Sequence, residues 1–181
     1  MENAVKGKVL LLKRDDYDRE NIDSAAAAVF EYFGGVGKFA APGARVLLKV
    51  NLVAGHEPER RVTTDPSLVR AVARLILEAG GHPVIADSPG IDNFSKAARK
   101  AGLMDVAQEL GIPCVELKDP LPLPVTPDAS FRKIQVSRHV LESDAVINLP
   151  KMKTHAQMLL TLGVKNMFGC VVGQRKAQWH Y

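Results

Sequence analysis

Three apolar stretches of this chain run directly into polar side chains that can bind an anion or carry a proton. The first ends Lys49-Val50-Asn51 and the second Asp87-Ser88-Pro89-Gly90. The third ends Asn148-Leu149-Pro150-Lys151-Met152-Lys153-Thr154-His155, with Lys165-Asn166 shortly after it. A lysine on an otherwise apolar strand must snorkel to water, pair with a carboxylate or bind an anion. Lys49, Lys151, Lys153 and Lys165 are thus the groups that would neutralise a ligand's charge. Asn51, Asn148, Asn166 and Ser88 would orient it by neutral hydrogen bonds. Asp87, His155 and Lys153 are the acid–base candidates, since histidine titrates near neutrality and burial can bring a lysine toward it.

Each feature also has a plainer explanation. Lys49 can serve a structural ion pair at a strand end, and Asp87-Ser88 can be simple turn chemistry. The five cations between residues 151 and 176 can be a solvated face. Against that, they are not spaced as a helical stripe, and they follow directly from a buried strand. Several ammonium groups drawn to one sheet edge repel one another, and Asp87 offers a single negative charge. An oxyanion beside Lys151, Lys153 and Lys165 is therefore expected. His155 and His180 with Asp87 match no metal-ligand spacing, so no metal ligands are assigned.

Gly35-Val36-Gly37-Lys38 resembles part of a phosphate loop. It lacks the Gly-Lys-Ser/Thr ending and follows a helix rather than a strand, so it reads as a helix stop and turn. No Gly-x-Ser-x-Gly or His-Glu-x-x-His motif occurs. The two cysteines, Cys114 and Cys170, are far apart and cannot by themselves hold an iron–sulfur cluster. The cofactor is unknown from sequence, and no such cluster is expected in this chain.

The elements that must position these residues follow from composition and periodicity. The chain has 181 residues, 46% hydrophobic and 24% charged, which suits one α/β domain over residues 1–181. Its net charge of +4, without a basic run, gives no footprint for nucleic acid. There is no signal peptide or membrane-length apolar run, so a cytoplasmic location is expected. Apolar runs over 8–13, 45–51, 83–87, 112–117 and 145–149 read as strands, and 131–136 as an extra, antiparallel one. Helices are expected over 23–33, 66–79, 94–110 (with Gly102 as a break) and 157–168. In the clearest of these, Thr64 or Asp65 caps the start and Pro66 sits in the first turn. Leu68, Val72, Leu75, Ile76 and Ala79 form its apolar face, with Arg70, Arg74 and Glu78 opposite. Pro120, Pro122, Pro124 and Pro127 mark an excursion outside the core. Strands separated by helices predict a mainly parallel sheet with helices on both faces, in Rossmann-like layers. Ligands in such sheets bind at the carboxyl ends of the strands.

At the same residues the chain resembles the DUF362 family, named for its unknown function. The matching pieces are LLKVNLV (47–53), TTDPSLVRAVARLILEAGG (63–81), VIADSPG (84–90), DAVINLPKMKTHAQM (144–158) and LGVKNMFGCVVGQRKAQWH (162–180). They occur in family order, and the third strand end together with the GVKN-x-FG piece is the most specific part. Many members of that family are described as iron–sulfur proteins with ferredoxin-like cysteine clusters, which this chain lacks. The resemblance further implies that the family domain continues past His180. The expectation is then an incomplete carboxyl-terminal region, with self-association through roughly the last forty residues by exposed-edge pairing, or disorder there. The reading that results is an enzyme domain binding a small anionic substrate or cofactor in a Lys/Asn/Asp/His-lined crevice. The alternative is a non-catalytic accessory module partnering a redox or iron–sulfur protein.

Overall fold

A computed structural model describes residues 7–90, 92–125, 127, 134–155 and 159–172. In chain order the elements are α1 (Arg19–Tyr32), β1 (Arg45–Lys49), α2 (Pro66–Glu78), β2 (His82–Asp87), α3 (Phe94–Lys100) and α4 (Leu103–Leu110). Then come β3 (Cys114–Glu116), β4 (Pro120–Pro122), β5 (Gln135–Ser137), α5 (Arg138–Leu141), β6 (Ala145–Asn148), β7 (Lys153–His155), β8 (Leu159–Thr161) and α6 (Gly163–Asn166). Four strands form one parallel sheet in the order β3-β2-β1-β6. The chain steps outward from β1 to β3, then returns to the other side of β1 as β6. Strand order therefore reverses beside β1, and the carboxyl ends of β1 and β6 flank a topological switch point. Register does the rest, because Lys49 lies opposite Ala86 on one side and Asn148 on the other.

The two faces of the sheet are covered unequally. Val46, Leu48 and Ile85 pack with residues of α1 to α4 in the main core. Leu47 and Ala86 face the other way, against Leu117, Cys170, Val140 and Met167. Among the described residues that second layer is made by Leu117, the four-residue α5 and the 3-10 turn at 167–170. Burying each Leu, Ile or Val of these layers contributes roughly 1.5–3 kcal/mol. Helix α2 starts as its sequence predicts: the Asp65 carboxylate accepts from the Ser67 N–H at 3.0 Å and Pro66 follows the cap. Gly102 separates α3 from α4 at φ 72°, a left-handed conformation that glycine takes without strain. The Gly35 segment is a short 3-10 turn after α1, so the helix-stop reading holds.

Three expectations need correction. Residues 8–13 form no strand, and Leu11 is 88% exposed. The run has the composition of a strand, but no described strand pairs with it. Arg70 is buried, not on a solvent face, because α1 packs over that side of α2 and Asp23 pairs with the guanidinium. The Pro-rich stretch does lie outside the core, and within it Pro120–Pro122 forms a two-stranded antiparallel ladder with β5, where an edge tolerates missing N–H groups. Finally, 157–168 is not one helix. Leu159–Thr161 pairs back on Lys153–His155, and helix is confined to Gly163–Asn166. The physical reason is tertiary: Asn166 is drawn down onto the strand ends, as described next. Residues 131–133, 156–158 and 173–181 lie outside the described residues, and with them the sequence expectations for Arg175, Lys176 and His180.

Candidate functional site

The carboxyl ends of β1, β2 and β6 meet under the segment 163–170. At the bottom is an ion pair: Lys49 Nζ lies 2.7 Å from Asp87 Oδ1, with the two side chains 1% and 6% exposed. Lys49 also donates to the Val50 carbonyl at 2.6 Å. Asp87 is held from further sides, accepting from the Leu52 N–H at 2.6 Å and the Ser88 N–H at 2.7 Å. Both carboxylate oxygens thus have donors. A buried charge of either sign is stable only when so compensated. Gly169 closes the pair from above. A Cβ there would come within 2.7 Å of both Asp87 Oδ1 and Lys49 Nζ, so this position takes no side chain without displacing the pair.

Beside the ion pair runs a directed chain of amides. Lys153 Nζ donates to Asn51 Oδ1 at 2.8 Å, and Asn51 Nδ2 to Asn166 Oδ1 at 2.9 Å. Asn166 Nδ2 donates to Asn148 Oδ1 at 2.8 Å, and Asn148 Nδ2 to the Gly163 carbonyl at 2.9 Å. A lysine has no acceptor, so the first link fixes which way every amide faces. Asn166 Nδ2 also lies 3.3 Å and 3.2 Å from the carbonyls of Lys49 and Val50. The three asparagines therefore tie α6 to the ends of β1 and β6. Thr64 ties the same strand ends from the other side, its hydroxyl accepting from the Asn51 N–H at 2.7 Å and donating to the Leu149 carbonyl at 2.6 Å.

Above this floor is a crevice of about 440 Å³, in the size range of small-molecule sites. Its charged lining residues are Lys49, Asp87, Lys153 and Lys165. Lys49 and Asp87 cancel, while Lys153 and Lys165 have no carboxylate within salt-bridge distance among the described residues. Burial, partly offset by Asp87 and reinforced by Lys151, holds the Lys153 ammonium below the usual lysine range. Thr161 also lines the crevice, and its hydroxyl is buried and without a hydrogen-bond partner among the described residues.

Of the residues singled out from sequence, Lys49, Asn51, Asp87, Ser88, Lys153, Lys165 and Asn166 line this crevice. Asn148 supports it from behind through Asn166. Lys151 is directed elsewhere: its Nζ is 2.8 Å from the Tyr17 hydroxyl and 4.8 Å from the centre of that ring. His155 sits in β7 opposite Leu159, and its side chain lies outside the described residues. Among the described residues no group of three or more His, Cys, Asp and Glu is placed to hold a metal ion. Cys114 is part-buried, with its thiol pushed up to about 11 by burial, and Cys170 is buried. Sequence reasoning missed Thr64 as a strap, Thr161 as a lining residue and Gly169 as a close approach. Only Gly169 carried a signal, as a glycine just after a cation–amide pair.

The family model for DUF362, described as a domain of unknown function, matches residues 46–181. A thylakoid-associated protein from Synechocystis sp. is 42% identical over 172 residues, covering 95% of this chain and 53% of the relative. The chain thus spans about half the length of the curated relative it matches. No solved structure matches it. No helix among the described residues is long and apolar enough to cross a membrane.

Proposed function

The chain belongs to the DUF362 family, a domain of unknown function, and from that premise we propose that it binds a small anionic substrate or cofactor at the switch-point crevice. The observation that carries this reading is the charge balance of the lining, three lysines against one carboxylate. Lys49 uses up Asp87, so among the described residues Lys153 and Lys165 face the crevice with no carboxylate of their own. The Lys153 ammonium donates two N–H groups to neutral oxygens, Asn51 Oδ1 and the Val62 carbonyl at 2.6 Å. Its third N–H and the Lys165 ammonium are donors that an oxyanion satisfies together. The amide chain behind them holds Lys153 in place before the ligand arrives.

The test is calorimetric titration with sulfate and with phosphate at two ionic strengths. Binding should weaken with added salt and be lost in Lys153→Ala and in Lys165→Ala, while Lys100→Ala, on an exposed helix end, should bind as the native chain does. Equal affinity in all four proteins refutes the proposal.

One observation favours a second reading, a non-catalytic accessory module. Next to the crevice, Leu159, Leu160, Leu162 and Val164 are exposed, Val164 by 91%. An apolar ridge of this kind suits a protein partner, with the crevice as part of the contact. Loss of partner binding in Val164→Asp with anion affinity unchanged would support the module.

A further inference from the structure

We infer that Lys153 is a nucleophilic amine, poised to form an imine with the carbonyl carbon of a small oxo acid whose carboxylate sits by Lys165. The inference rests on the anion-binding reading above and names the class of ligand and the atom it would join.

It follows from comparing the four lysines at this end of the sheet. Lys49 is buried, with its Nζ taken up by Asp87 at 2.7 Å and the Val50 carbonyl at 2.6 Å. Lys151 is turned to the Tyr17 ring and hydroxyl and does not line the crevice. Lys165 is exposed, so water solvates its ammonium. Lys153 alone of the four both borders the crevice and, among the described residues, contacts only neutral acceptors, Asn51 Oδ1 at 2.8 Å and the Val62 carbonyl at 2.6 Å. A neutral amine has two N–H groups and one lone pair. Those two acceptors satisfy both N–H groups, so loss of the third proton leaves no unmet donor. The pair it releases occupies the one tetrahedral position not taken by the protein. Burial of this amine acts in the same direction, with Lys151 adding repulsion and Asp87 opposing.

The step balances without a redox partner. The Lys153 lone pair forms a bond to the carbonyl carbon, and the C=O π pair moves onto oxygen. That oxygen takes the proton shed by nitrogen, giving a carbinolamine. A second proton from solvent lets the oxygen leave as water while nitrogen closes the C=N bond. The sum is one amine, one carbonyl and one proton converted to one iminium and one water.

The experiment uses the full chain with pyruvate as probe and sodium cyanoborohydride to reduce any imine, followed by peptide mass spectrometry. The expected result is an adduct on Lys153 several-fold above that on Lys165 or Lys100, suppressed by excess sulfate and lost in Lys153→Arg. Equal labelling of the three lysines, or an adduct that sulfate does not suppress, overturns the inference. Peptide mapping of the native chain decides this even if the variant fails to fold. Sulfate binding without a Lys153 adduct removes the imine and leaves the anion site standing. Absence of sulfate binding removes the reading on which both depend.

Discussion

Replacing Asp87 by asparagine should destabilise the fold strongly, and by a route that a second substitution can reverse. In the native chain the Lys49 ammonium is 1% exposed and its counter-ion is 2.7 Å away. Asp87→Asn keeps an acceptor for one backbone N–H but leaves the ammonium buried without compensation. Breaking one side of such a pair costs about 3–5 kcal/mol. Set against a total stability of about 5–15 kcal/mol, that is a large share. With a urea dependence on the order of 2 kcal/mol per molar, the unfolding midpoint falls by roughly 1.5–2.5 M. Lys49→Met is expected to be comparably damaging, since it leaves the carboxylate buried with only backbone donors. The double variant carries neither charge, so its loss should be well below the sum of the two single losses. The assay is urea unfolding of the four proteins followed by circular dichroism. Additive losses, or single variants within about 0.5 kcal/mol of native, would refute the claim that this pair is one buried unit.

Three further outcomes follow. Gly169→Ala should lower stability and loosen the 163–170 segment, because its new carbon falls 2.7 Å from Lys49 Nζ and Asp87 Oδ1; hydrogen exchange of the Asn166 and Cys170 amides reads this directly. Lys153 titrates lower when folded than its ordinary 10.5, so the unfolded chain binds more protons between the two values and stability should rise with pH up to about 10.5 through this residue. Comparing native chain with Lys153→Gln across that window should show the native chain gaining as pH increases, and a flat difference would contradict the assignment. Since burial keeps the Cys114 thiol protonated to about pH 11, iodoacetamide at pH 8 should label it far more slowly in the folded chain than in urea.

The sheet was legible because its strands are short apolar runs with polar tips, and those tips named most of the crevice. The parallel order followed from alternating strands and helices, but the return of β6 to the far side of β1 is a tertiary fact that makes the tips converge. Local pattern failed where partners decide. The run at 8–13 has a strand's composition and no described strand paired with it, and Arg70 reads as solvent-facing until α1 covers it. The segment after β6 misled for a related reason. Its 3.6-residue pattern was overridden by the pull of Asn166 onto Asn51 and Asn148 and by the pairing of β7 with β8. Thr64 was visible as part of a helix start but not as the strap between two strand ends, since that contact spans 85 residues of sequence.

The claim at the centre is that Lys153 and Lys165 share one small anion above the Lys49–Asp87 pair. A crystal structure of the full chain grown with selenate tests it by anomalous scattering. The account predicts a selenium peak in the crevice, within hydrogen-bond reach of Lys153 Nζ and Lys165 Nζ, that disappears in Lys153→Ala. A crevice without selenium at a concentration that fills sites elsewhere on the surface would contradict it.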